Sequence, residues 1–324
     1  MLPALYPLRF QPILRRYLWG GRRLGSLLGK PLGPQDDYAE SWEVCDHAAD
    51  QSLVTAGALQ GAALCDLVQG RPVELLGRHA PQSRFPLLFK FLDAEQTLSV
   101  QVHPNDALAA REQPPDLGKT EAWVVLAARP GSLIYAGLKR GFDRPALERE
   151  LARGTCALCL HRFEARVGDC VFLPAGVVHA IGAGLVIAEI QQASDTTYRL
   201  FDWNRLGPDG RPRPLHVEKA LEAIDFEYGP AGPRRPQPTE QAHAERLVEC
   251  DKFVLDRWSF HTPQPAGGDD RCHIIAVLSG RIRIEGDPHA EPLPAGGTCL
   301  LPAALGAVPI APLEPTVVLD MYLP

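Results

Sequence analysis

The run "SVQVHPND", residues 99–106, sets Gln101 and His103 two positions apart in a stretch of strand-forming residues, so alternation turns both side chains to one face. An amide oxygen and an imidazole nitrogen meeting there make half of a divalent-metal site. A hydrogen-bonded pair in an apolar core would leave the same trace, and this stretch alone leaves both readings open. A second feature, Cys156 and Cys159 in "GTCALCLHRF", has the CxxC spacing of zinc and redox sites. With no second CxxC in the chain, ordinary core packing is the reading preferred for that pair.

A partner for the first half-site comes from "GDCVFLPAGVVHAIG", in which Gly168, Pro174, Gly176 and His179 follow the pattern G-x5-P-x-G-x2-H. Gly168 and Asp169 suit a hairpin turn, while Pro174 and Gly176 bend the chain at a sheet edge and swing His179 inward. The pattern resembles the second motif of the cupin superfamily, whose members bind metals in the mouth of a β-barrel. The first cupin motif usually carries HxH, and here Gln101 stands in place of its first histidine.

That departure, with Glu121 in "GKTEAW", resembles the metal set of type I phosphomannose isomerases. The likeness extends over "WGGRRLG", "ESWEVCDH", "FPLLFKFLDAEQTLSVQVHP" and "QQASDTTYRLFDWNR", hence over residues 1 to about 225, and the chain length resembles the short bacterial form. The resemblance implies that Gln101, His103, Glu121 and His179 hold one Zn2+ per chain, with other divalent metals as alternatives. Two neutral imidazoles, an amide and a carboxylate would leave such an ion a net charge of about +1 and an open position. The implied activity interconverts D-mannose 6-phosphate and D-fructose 6-phosphate through a cis-enediol.

Such a reaction moves a proton between C2 and C1 while negative charge develops on oxygen, so cations must stand near those oxygens. Lys119 precedes Glu121 by two residues and shares its strand face, and Arg199 lies in "TTYRLFD"; both are catalytic candidates. Glu189 in "LVIAEIQQ" is a third, as the base or as the partner of an ion pair with Arg199. The resemblance assigns the phosphate to Lys90 in "LLFKFLD" and to Ser99, with Arg199 able to serve either end. A non-catalytic, regulatory sugar-phosphate-binding cupin is the alternative, and an iron-dependent cupin oxygenase is disfavoured by Gln101.

The elements that must place these residues are strands. In 324 residues, 29 glycines and 31 prolines separate short β-rich runs such as "EAWVVLAA", "DCVFLPAG", "GLVIAEIQQ", "HIIAVLSGRIRIEG" and "TVVLDMYL". The expected class is mainly β: two cupin-type (jelly-roll) barrels with a few peripheral helices. "DRPALERELARG", with Asp143 as N-cap and Gly154 as stop, and "PLHVEKALEAID" read as helices. A proline- and glycine-rich tract at 227–240 has nothing obvious to pack, which divides the chain into a metal-binding catalytic domain at 1–230, a linker at 231–240 and a degenerate domain at 241–324. In that last domain "GGTCLLPAAL" has no histidine where His179 would fall, so it is expected to bind no metal and to close one side of the site.

A net charge of -6 offers no basic stripe for nucleic acid, and no apolar run reaches the ~18 residues of a membrane span. "MLPALYPLRFQPILRR" interrupts its apolar residues too early for a signal peptide, and the cysteines lack the density of a disulfide framework. The expectation is a cytoplasmic monomer or homodimer that acts on a small sugar phosphate, with neither nucleic acid nor membrane as partner.

Overall fold

Residues that alternate in polarity need two different surroundings, and the chain supplies them by stacking sheets. The computed structural model describes residues 3–207 and 210–324 and contains two pairs of facing antiparallel sheets. In the first pair a six-stranded sheet runs in the order Ile13–Gly21, Tyr38–Val44, Leu87–Ala94, Leu185–Gln192, Glu121–Ala128, Cys170–Leu173. Facing it is a five-stranded sheet in the order Tyr198–Phe201, Val100–Val102, His179–Ile181, Leu133–Leu138, Leu160–Glu164. Trp123, Val125 and Ile187 from the first meet Ile134, Ala136 and Ile181 from the second in one core. The class is mainly β as expected, but the sheets form open sandwiches where closed barrels were anticipated. Among the described residues no backbone ladder joins one sheet of a pair to the other.

The back of the five-stranded sheet is covered by helices, which explains why Val100, Val102 and Val178 point away from Gln101 and His179. The helix Arg144–Ala152 starts at Asp143, whose carboxylate accepts the N–H of Ala146, and a second helix spans Val217–Ala223. Cys156 and Cys159 are buried among these apolar side chains as ordinary core residues. Four short helices, Arg23–Leu28, Leu64–Gly70, Pro72–Leu76 and Asp106–Ala109, lie outside the two expected from sequence. Each is too short to display a 3.6-residue pattern.

The second sheet pair stacks behind the first. Its six-stranded sheet, in the order Gln237–Pro238, Ala244–Glu249, Val254–Phe260, Thr316–Tyr322, His273–Ser279, Thr298–Leu301, turns Leu255, Ile274, Leu319 and Met321 towards Phe89, Phe91, Val124 and Ile190 of the first half. This shared core is why the later half does not close a side of the site, as the sequence led one to expect; it lies against the reverse face of the first six-stranded sheet. The tract 227–240 also has packing partners: Ala231 N–H donates to Ala136, Arg234 N–H donates to Cys170, and the Arg234 guanidinium lies 5.7 Å from the centre of the Phe172 ring. Phe172 and Phe253 meet edge to face at 6.4 Å, one from each half.

Phe253 is fully buried in the shared core, so Phe253→Ala is predicted to cost about 3–5 kcal/mol. Denaturant unfolding of the variant should show one transition at lower midpoint, since both halves lose the same core. Two separated transitions would show that the halves are stable independently.

Candidate active site

Register brings the functional side chains together. Across the six-stranded sheet Lys90 faces Glu189, Glu189 faces Trp123, and Gln191 faces Glu121, so that Lys90, Glu189 and Glu121 look into the sandwich. From the opposing sheet Gln101 pairs with both His179 and Arg199. Gly176 makes the approach of His179 feasible: it adopts φ +91°, its N–H donates to the carbonyl of His103, and a Cβ there would press within 3.0 Å of the Ala223 carbonyl.

His103, Glu121 and His179 are each about 1 % exposed and offer ligand atoms within 4.8 Å of one another. The Nδ1 of His103 lies 3.0 Å from the Thr196 carbonyl, and that of His179 lies 2.8 Å from the Val177 carbonyl. A carbonyl only accepts, so both rings carry their proton on Nδ1 and present the Nε2 lone pair to Glu121. Burial keeps both rings neutral, pushing the His103 pKa down to about 3 with help from Lys119, and lowering that of His179 as well. Neutral Nε2 atoms cannot donate, and Glu121 Oε1 is buried with no hydrogen-bond donor among the described residues. The amide of Gln101 lies 3.3 Å from His179 Nε2, and a half-turn about its last bond brings Oε1 to the same place.

Acceptors thus converge on a point where Glu121 Oε1 and His179 Nε2 meet no ammonium or N–H of a neighbouring cation, as a cation requires. Lys119 points the same way, for its ammonium sits 3.0 Å from His103 Nε2 and bonds to Glu121 Oε2. Burial alone would raise the pKa of Glu121, but the Lys119 ammonium beside it holds it well below the usual carboxylate range. The donor set of two imidazoles, a carboxylate and an amide therefore fits a divalent ion such as zinc.

Beside this cluster opens a cavity of about 300 Å³. Glu189 stands in it 3.1 Å from Lys90 and 3.6 Å from Lys119, with its pKa raised by burial and by Glu121. The ion pair of Glu189 with Arg199 considered from sequence is absent, because the ladder places both lysines closer. Lys90 also lies 3.6 Å from Glu40, so it is clamped between two carboxylates. Arg199 donates to Ser99 Oγ at 3.3 Å and to the Pro214 carbonyl at 2.9 Å; among the described residues no carboxylate comes within ion-pair distance of it. Burial, then Arg213, lowers its pKa.

Sequence reasoning passed over Glu40, Asp195 and Tyr17, which line the same cavity, and Asp116, which does not touch it. Asp116 accepts the Thr196 and Ser194 hydroxyls at 2.8 and 2.9 Å, and lies 3.1 Å from Arg84 and 3.2 Å from His47. It thereby fixes the loop whose Thr196 carbonyl sets the tautomer of His103. Glu40 was detectable as an acid in the buried strand Tyr38–Val44, whereas a loop aspartate carries no periodic signal.

Residues 8–121 match the family model of the phosphomannose isomerase type I catalytic domain. The chain is 34 % identical over 304 residues to the Bacillus subtilis mannose-6-phosphate isomerase ManA, covering 93 % of this chain and 94 % of that one. The crystal structure of the mannose 6-phosphate isomerase from Bacillus subtilis superposes with a TM-score of 0.89 at 26 % identity, over 98 % of this chain and all of that one. A mannose 6-phosphate isomerase crystallised with zinc and yttrium shares the fold, with a TM-score of 0.77 at 18 % identity over 98 % of this chain and 100 % of that one.

Replacing Asp116 by Ala should weaken metal retention about 10–100-fold by freeing the loop behind His103, and Glu121→Ala should abolish it. Elemental analysis after dialysis against graded chelator measures both. Retention by Asp116→Ala equal to the parent would mean that the loop holds without it.

Proposed function

Because the chain belongs to the mannose-6-phosphate isomerase family, we propose that it is a metal-dependent aldose-ketose isomerase interconverting D-mannose 6-phosphate and D-fructose 6-phosphate. The observation that carries this reading is the pairing, beside one cavity, of a buried acceptor cluster with Lys119, Glu189 and Arg199, which among the described residues has no carboxylate within ion-pair distance. Zinc is the ion of choice: the donor set suits it, and a structural neighbour is described as bound with zinc. Gln101, His103, Glu121 and His179 hold it, and when bound it supplies Lewis-acid polarisation of the sugar's carbonyl and hydroxyl oxygens.

The chain's own groups do the rest. Glu189 carries the proton between C2 and C1, and Lys119, 3.6 Å away, donates to the oxygen on which enediol charge develops. Lys90 and Glu40 position Glu189 through the ion pairs that enclose it. The phosphate dianion goes to Arg199 with Ser99, since an arginine free of carboxylates has full charge to offer and Lys90 has not. Low water access in the buried cluster strengthens each of these interactions.

The eight cysteines are free, which suits a reducing cytoplasm, and among the described residues no helix is long and apolar enough to cross a membrane. A monomer or homodimer is proposed.

The reading is tested by following mannose 6-phosphate in D2O by NMR. Fructose 6-phosphate should form with deuterium entering at C1, and Arg199→Ala should lose about 100-fold or more in kcat/KM while keeping its metal. No conversion by metal-loaded protein would refute the assignment, and loss of metal from Arg199→Ala would make that residue structural.

A further inference from the structure

The second sheet pair repeats the first closely enough to compare position by position. Both six-stranded sheets have the same strand order, with the chain's third strand beside its last and the last beside the fourth. In the catalytic sheet Lys90 pairs with Glu189, and Gln191 with Glu121. In the later sheet Asp256 pairs with Asp320, and Tyr322 with His273. Asp256, Asp320 and His273 thus occupy the places that Lys90, Glu189 and Glu121 hold in the active site.

A purely structural sandwich would fill these places with apolar side chains, as it does one step further along at Val318, Ile275 and Trp258. Instead Asp256, Asp320 and His273 are only 5, 2 and 4 % exposed, and isolated charges so placed are costly. They border a cavity of about 1060 Å³ that no residue of the active site enters. His273 bonds through Nδ1 to Asp320 at 2.8 Å and through Nε2 to Asp269 at 3.0 Å, so both nitrogens donate and the ring is an imidazolium. The two carboxylates push its pKa up to about 10 against the effect of burial. Arg246 donates to Asp256 and, at 3.1 Å, to the Tyr322 hydroxyl, which donates to Asp256 at 3.0 Å.

The buried charges facing the cavity are matched inside it, Asp256 by Arg246 and Asp320 by His273, while at the rim the exposed acids Glu240 and Glu249 offset the exposed Arg234 and Arg235. An anion drawn past the exposed rim arginines Arg234 and Arg235 would meet Asp256, Asp269 and Asp320, and a cation would find those carboxylates already engaged by Arg246 and His273. A neutral molecule rich in hydroxyls meets no such barrier. It can donate to Asp320 Oδ2, which among the described residues has no hydrogen-bond partner, and it can use the spare capacity of the exposed Asp269. Trp258 also lines the cavity, and its buried indole N–H lacks an acceptor.

We propose that this cavity is a second ligand site, separate from the isomerase centre, for a neutral polyhydroxylated ligand of the hexose or short-saccharide class. The test is calorimetric titration of the metal-loaded enzyme with D-mannose, D-fructose, a β-1,4-mannobiose and, as the anionic probe, inorganic phosphate. Saturable binding of at least one sugar should be weakened tenfold or more by Asp320→Asn and by Gln237→Trp, a substitution at an exposed rim position that narrows the mouth. The same binding should persist in Glu189→Gln, and the isomerase rate of Gln237→Trp should stay within twofold of the parent. Three results would overturn the proposal: no saturable sugar binding up to about 50 mM, sugar binding lost in Glu189→Gln but intact in Gln237→Trp, or phosphate alone binding in this cavity.

Discussion

Two imidazoles whose Nδ1–H groups each donate to a backbone carbonyl face a carboxylate oxygen that no donor reaches, and the rest of the molecule is arranged around that shortage of donors. In an interior of low polarity, unmatched acceptors are among the most expensive things a fold can hold. A cation at their meeting point resolves the cost, which is why Lys119 also turns inward there. The acceptors come from opposite sides, Glu121 from one sheet, His179 and Gln101 from the other and His103 from the residue directly after the strand Val100–Val102, so the site exists only when the sandwich is closed. Stability and activity are thus coupled through the same core, and metal binding should stabilise the folded state.

The strand order common to the two six-stranded sheets organises the remaining architecture. Each half stacks two sheets, and the halves join through the outer faces of their six-stranded sheets, leaving each inner face free for polar chemistry. The first half fills its inner face with a metal cluster and a cavity. The second keeps buried charge at the corresponding positions but arranges it as closed ion pairs, and a histidine there donates from both nitrogens and so cannot coordinate a metal.

What the sequence disclosed follows from which interactions are local. Gln101 and His103 stood out because a period of two survives in any strand, and the turn around Gly168, Pro174 and Gly176 announced His179 because bends need particular residues. Asp143 marked its helix for the same reason. Pairings between strands are not local: that Lys90 is clamped by Glu40 and Glu189, while Arg199 meets no carboxylate among the described residues, depends on register. Asp116 gathers partners from three distant segments, so nothing near it in sequence betrays its role. Open sandwiches and closed barrels share the same strand pattern and differ only in edge pairing, and the charged interior of the second half resembled any polar alternation until its partners were in place.

The most direct test of the account is to strip the protein with chelator, confirm by elemental analysis that it holds no metal, and titrate zinc back while following fructose 6-phosphate formation from mannose 6-phosphate. The account predicts that activity disappears on stripping and returns in proportion to bound zinc, saturating near one equivalent per chain. Full activity in protein shown to contain no metal would contradict it.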